Sequence, residues 1–224
     1  MQGDRKSMKA FFLKYLWIGS LLVLTHAQAS NITFQLNLLP VIDSIKIEVF
    51  KCYISNLKIE TANGQVLNCS PDVFLLTLSD SNATQTIEIQ TDADEQSLVG
   101  CSILFDLGLD SQLNTSGAMT GALDPLNGMF WTWQSGYIHL KIEGHSLKAS
   151  DNQMGFEYHL GGYRKPYETQ CHQKIFQNTK DMLVVIDLNP FFESGVWKKS
   201  PRMMSPGPLA KNLFDRCCSM FKAK

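Results

Sequence analysis

The chain has 224 residues, 44% hydrophobic and 18% charged, enough to bury one core or at most two small ones. A net charge of −1 and a pI near 6.5 leave no basic field, which argues against nucleic-acid binding. Its six cysteines are too sparse for a disulfide-built miniprotein.

In chain order, the first segment has the pattern of an export signal. Arg5, Lys6, Lys9 and Lys14 form a basic region, and Tyr15 to Leu24 is almost wholly apolar. Ala27-Gln28-Ala29 then supplies a small-residue cleavage site before Ser30. The apolar run is short for a membrane span. We expect residues 1–29 to be a signal peptide and residues 30–224 a single mature domain. Cleavage would remove Asp4 and the four bases, taking the net charge from −1 to −4. No cysteine stands at the cleavage point for a lipid anchor, so the expected product is soluble and periplasmic or secreted.

Short strands follow. Ile32, Phe34, Leu36 and Leu38 alternate with polar partners, the pattern of a half-buried strand. Ile45 to Ser55 continues with β-branched and aromatic residues. Leu57 to Thr61 and Val66 to Asn68 flank Asn63-Gly64, a strong hairpin signal. Val73 to Leu78, Thr84 to Ile89 and Ser102 to Asp106 add further strands, and Phe156 to Leu160 and Met182 to Leu188 two late ones. The expected fold is all-β, an antiparallel β-sandwich with a short C-terminal amphipathic helix. That helix is read from Ser205-Pro206 at its start and from Leu209, Leu213, Phe214, Cys217, Met220 and Phe221 at helical spacing. Cys217 and Cys218 point to different sides of it, one buried and one more accessible. The six cysteines permit 15 pairings, and spacing alone does not choose among them. Sequons at Asn31, Asn68, Asn82 and Asn114 matter only in a eukaryotic secretory pathway.

The most unusual stretch runs from Gly121 to Ser146. Asp124-Pro125-Leu126-Asn127-Gly128 reads as a turn. Met129 to Gln134 and Tyr137 to Glu143 read as strands of a hairpin joined through Ser135-Gly136. A two-residue loop would place Gln134 opposite Tyr137, Trp133 opposite Ile138 and Trp131 opposite Leu140. Both indoles would then share an apolar face with Ile138, Leu140 and Ile142, and His139 would lie on the polar face.

This stretch, with Tyr53-Ile54-Ser55-Asn56 upstream and Phe156-Glu157-Tyr158-His159-Leu160-Gly161-Gly162 downstream, closely resembles the MbnP-like family of periplasmic copper-binding proteins. The resemblance spans nearly the whole mature chain. It implies copper held by histidine side chains and by the amine of a tryptophan oxidised to kynurenine. It also implies a di-haem partner enzyme, related to cytochrome c peroxidases, that performs the oxidation. An intact indole offers no comparable ligand. The resemblance makes Trp131 or Trp133 the modifiable residue and His159 the best-placed histidine.

Strand parity agrees that His159 leaves the apolar face of its strand, where it is free to bind metal or to be solvated. His145 is expected in a loop after the hairpin, a second candidate ligand or an ordinary surface histidine. His139 reads as structural, and His172 beside Cys171 as a possible soft pair or a loop residue. Met119, Met129 and Met154 could offer thioethers, although core filling explains methionine as well. Imidazole and soft sulfur donors suit copper, and the soft ones favour Cu(I). No histidine lies in the tryptophan segment before Gly136, and neither tryptophan has one two residues away. The alternative function is a non-catalytic binding or adhesion module using Trp131 and Trp133 as an aromatic platform, which requires exposed indoles. An enzyme is not expected: there is no G-x-S-x-G and no H-E-x-x-H.

Overall fold

Alternation of apolar and polar residues builds most of the chain into strands. The structure is a computed structural model that describes residues 30–41, 45–92, 97–132, 134–147, 155–177 and 182–224; the expected signal peptide lies outside them. The first strands are β1 (Ser30–Leu38), β2 (Ile45–Glu60), β3 (Val66–Ser70), β4 (Val73–Leu78), β5 (Thr84–Thr91) and β6 (Ser102–Leu107). Helix α1 (Ser111–Thr115) and two 3₁₀ turns lead to β7 (Phe130–Thr132), β8 (Gly136–Tyr137), β9 (Leu140–Ser146) and β10 (Gly155–Leu160). Next come β11 (Cys171–Phe176), β12 (Met182–Ile186), α2 (Asn189–Glu193), α3 (Val196–Lys199), β13 (Arg202–Met203), α4 (Pro208–Cys217) and β14 (Phe221–Ala223).

The fold is mostly β. Twelve strands join in one curled sheet, and β7 and β8 form a separate ribbon. Strand β2 is its spine, reading as two strands in sequence but running unbroken for 16 residues. Its first part lies between β9 and β4, and its last part between β6 and β3. The β2–β6 register shifts between Ser55 and Lys58, where Asn56 takes a left-handed φ of 57°. Asparagine tolerates that conformation better than most residues, so the strand bends without breaking. The Asn63-Gly64 hairpin forms as expected, pairing Lys58 with Asn68 and Glu60 with Val66.

Two pairings depart from a purely antiparallel arrangement: β1 with β12 and β10 with β13 are parallel. Their partners are far apart in sequence, so no tight hairpin dictates their direction. Strand β11 is not expected from the sequence, because Ile175 is the one fully buried residue of Cys171–Phe176. It is held by pairing with β6.

The main core packs Phe34, Leu36, Phe50, Ile54, Leu76 and Ile142 against residues of the C-terminal helices. The terminal helix starts later than Ser205-Pro206. Gly207 precedes it and Pro208 occupies its first turn, where a missing N–H costs nothing. Ala210, Leu213, Phe214 and Cys217 are buried, whereas Leu209 stays exposed. Met220 and Phe221 are also buried, but beyond the helix end, and Phe221 opens β14. Cys218 is bonded to Cys171, fastening the end of α4 to β11.

Candidate functional site

The site region begins at the expected turn. The Asp124 carboxylate accepts from Leu126 N at 2.9 Å, Pro125–Asn127 forms a 3₁₀ turn, and Gly128 closes it at φ 70°. The hairpin register then differs from expectation. Phe130 pairs with Tyr137, Thr132 with Gly136, and Ile138 N donates to Met129 O at 2.8 Å. The cause is remote in sequence. Asn114 Oδ1 accepts from Tyr137 N at 3.0 Å, and a Cβ on Gly136 would stand 2.6 Å from that oxygen. Tyr137 is thereby fixed in a second, smaller core with Tyr53, Leu109, Leu123, Met129 and Ile138.

Trp131 consequently does not sit opposite Leu140. It is half-buried at the edge of the small core, near enough to Gly161 that a Cβ there would be 2.9 Å from its Cζ3. It keeps Ile138 as a cluster neighbour, but Leu140 and Ile142 belong to the main core. Trp133 lies outside the described residues. Met129 is fully buried and fills the small core, Met119 is exposed, and Met154 lies outside the described residues.

His139 is not on a polar face. It is fully buried, with Nδ1 2.8 Å from Thr169 O and 3.0 Å from Thr169 Oγ1, and Nε2 2.9 Å from Asn114 Nδ2. A carbonyl can only accept, so Nδ1 carries the proton and Nε2 accepts from the Asn114 amide. Burial pushes its pKa down to about 4 against the opposing hydrogen bond to Thr169. Its backbone joins the segments singled out in sequence: Tyr53 N donates to His139 O at 3.1 Å, and His139 N to Leu160 O at 2.8 Å. Asn114, the centre of this network, is itself buried and hydrogen-bonded, so its sequon cannot take a glycan in the folded protein. Asn114 and Thr169 carry no local signal of this role.

His159 does leave the apolar face. Along β10, Phe156, Tyr158 and Leu160 are buried while Glu157 and His159 are half-buried. Its Nε2 lies 2.7 Å from Glu143 Oε1, and the same oxygen is 3.1 Å from Lys141 Nζ. Partial burial raises the Glu143 pKa, but the hydrogen bonds from His159 and Lys141 outweigh it and hold the carboxyl below the usual glutamate range. With Nε2–H donating to that carboxylate, Nδ1 has no hydrogen-bond partner among the described residues. Histidines that bind metals commonly have a carboxylate on the opposite ring nitrogen in this way. Nothing in the sequence marks Glu143 as the partner of His159, although it alternates with Lys141 and His145 along one face of β9.

His145 is in strand β9, not in a loop, and pairs through Nδ1 with Glu48 Oε1 at 3.1 Å. On the β9–β10 ladder it sits beside Gly155, whereas His159 sits beside Lys141. Four residues of strand separate the two positions, roughly 13 Å at the usual rise. The structure therefore places Trp131 at the His159 end of the ladder and His145 at the other. Among the described residues no group of three or more His, Cys, Asp or Glu side chains converges.

The other sulfur and imidazole candidates are accounted for. His172 is exposed and bonded through Nδ1 to the buried Asp106 carboxylate, which also accepts from Asn56 and Gln170. Its neighbour Cys171 is in the disulfide, so no soft pair exists there. Cys52, Cys69, Cys101 and Cys217 are buried thiols. Burial pushes Cys217 up to about 12 and Cys69 up to about 11, so neither presents a thiolate at neutral pH.

The MbnP family profile matches residues 19–205. Among solved structures, MbnP from Methylosinus trichosporium superposes with a TM-score of 0.54 at 16% identity, covering 74% of this chain and 78% of that one. At that identity the likeness speaks for the fold. No curated protein matches the chain.

Proposed function

The chain belongs to the MbnP family, and from that premise we propose that it is an exported, non-catalytic protein of copper handling. We read its curled sheet as the sandwich of that family and its location as periplasmic or secreted. His159 is the proposed first donor to copper, as Cu(I), through Nδ1. The observation that carries this is the His159–Glu143 pair, which engages Nε2 and leaves Nδ1 of a half-buried histidine without a partner among the described residues. Trp131 lies at the same end of the ladder, over Gly161. Conversion of Trp131 or Trp133 to kynurenine by a di-haem peroxidase-like partner would add the second donor that the unmodified chain lacks. His145, some way along the ladder, would take a separate, weaker ion.

The half-buried state of Trp131 also keeps the second reading alive, since an aromatic platform needs an accessible ring. Titration of the mature 30–224 protein with Cu(I) against a competing chelator separates the two. Tight one-to-one binding, weakened in His159→Ala, supports the copper reading. Further weakening in a Trp131→Phe/Trp133→Phe variant, only after maturation with the partner oxidase, would locate the kynurenine. Binding no tighter than that of an unrelated exported protein would leave the platform reading.

A further inference from the structure

A cleft of about 250 Å³ opens beside the tryptophan segment, between Gln134 and the loop that follows β10. Gly162 makes it possible. At φ 147° its missing Cβ would stand 2.6 Å from Tyr167 O and 3.4 Å from Pro206 Cβ, so only glycine lets the loop fold back. The loop is held by Tyr167 N donating to Arg164 O at 2.9 Å and Thr169 N donating to Gly162 O at 3.0 Å. Thr169 is in turn anchored on buried His139. A cleft built on such an anchor needs little ordering when it binds.

Its lining combines two phenol rings with two cations. Tyr163 OH donates to Gln134 O at 3.2 Å, and Arg164 Nη2 donates to Tyr163 OH at 3.0 Å. The guanidinium carbon lies 5.2 Å from the Tyr163 ring centroid, a cation–π stack. That uses one of the five N–H groups of Arg164, and Lys165 uses none in the described residues. Among the described residues no acidic side chain lines the cleft and neither cation has a carboxylate partner. Both cations are exposed, and with no carboxylate partner among the described residues they make the cleft mouth electropositive, a setting that favours an anion. The tyrosine rings call for a flat apolar body, and the volume limits it to about one ring. Arginine's planar fork matches a carboxylate in particular.

We infer that this cleft binds a small aromatic carboxylate, seated between Tyr163 and Tyr167 with its charge on Arg164 and Lys165. This does not depend on the copper reading. The probe is benzoate, titrated into the mature protein and followed by ligand-observed NMR, with benzamide and acetate as controls. Saturable benzoate binding is expected, weakened about tenfold in Arg164→Gln and less in Lys165→Gln. Benzamide, which has the ring without the charge, and acetate, which has the charge without the ring, should each bind at least about tenfold more weakly. His159→Ala should leave benzoate binding unchanged, so the two readings can fail separately. Absence of saturation up to about 10 mM benzoate, equal binding of benzamide or acetate, or undiminished binding in Arg164→Gln would overturn the inference. Binding of an acidic polypeptide with no binding of benzoate would also overturn it, in favour of a protein partner.

Discussion

His139 and His159 lie on neighbouring segments of the same β-structure and do opposite work. His139 is enclosed, with both ring nitrogens used by Thr169 and Asn114, and is held neutral by burial. His159 is only partly buried, with one nitrogen spent on Glu143 and the other without a partner among the described residues. Residue type does not separate them; the number of ring nitrogens left over does. A histidine with no free lone pair ties segments together, and one with an oriented lone pair is a candidate ligand.

The sharpest way to break this contrast is to remove the buried partner. His139→Ala should strip the Thr169 carbonyl of its imidazole donor, remove one partner of Asn114 and open a cavity in the interior, costing about 3 kcal/mol by chemical denaturation. The same residue predicts an acid sensitivity. Its folded pKa, about 4, lies below the ordinary value of 6.5, so the unfolded chain takes up a proton that the folded protein refuses. This contribution to stability is complete above about pH 6.5 and is lost as pH falls toward about 4, roughly 3 kcal/mol in all. Denaturation midpoints in that window should flatten in His139→Gln, and an unchanged slope would show that another group sets it.

Next in size, Gly161→Ala tests the seat of Trp131. Its Cβ would meet Tyr137 O at 2.5 Å and the indole at 2.9 Å, so a loss of about 2 kcal/mol is expected together with a shifted tryptophan emission. Glu143→Gln should change stability by less than about 1 kcal/mol, because the ion pairs it joins are partly exposed. It should nevertheless weaken Cu(I) binding about tenfold or more, since a carboxylate behind a histidine tunes and orients it. Equal effects of Glu143→Gln on stability and on copper would reduce the His159 pair to scaffolding. The smallest effect is expected for His145→Ala, with stability unchanged within about 0.5 kcal/mol and the tight copper stoichiometry intact. Loss of that ion would place His145 in the main site.

What could be read directly is local. Period-two alternation located β1, β4, β6 and β10 to within a residue or two at each end, and Asn63-Gly64 located its hairpin. Parity along Phe156–Leu160 likewise takes His159 off the apolar face of its strand. Strand β11 has one buried residue and so offers no period to read, and the face of His139 depends on a hairpin register that a two-residue loop does not produce.

The sequence by itself determined most of the strands, the main turns, the terminal helix and the family, because each depends on residues close together or on short motifs that are legible one by one. The tertiary structure decided the register around Trp131, the burial of His139, the pairing of His159 with Glu143 and the choice of Cys171 with Cys218. Each of these is a contact across many residues, 23 in the case of Asn114 and Tyr137. A hydrogen bond made at that range overrides the two-residue turn that local propensity favours, because leaving a buried amide unpaired costs more than lengthening an exposed loop.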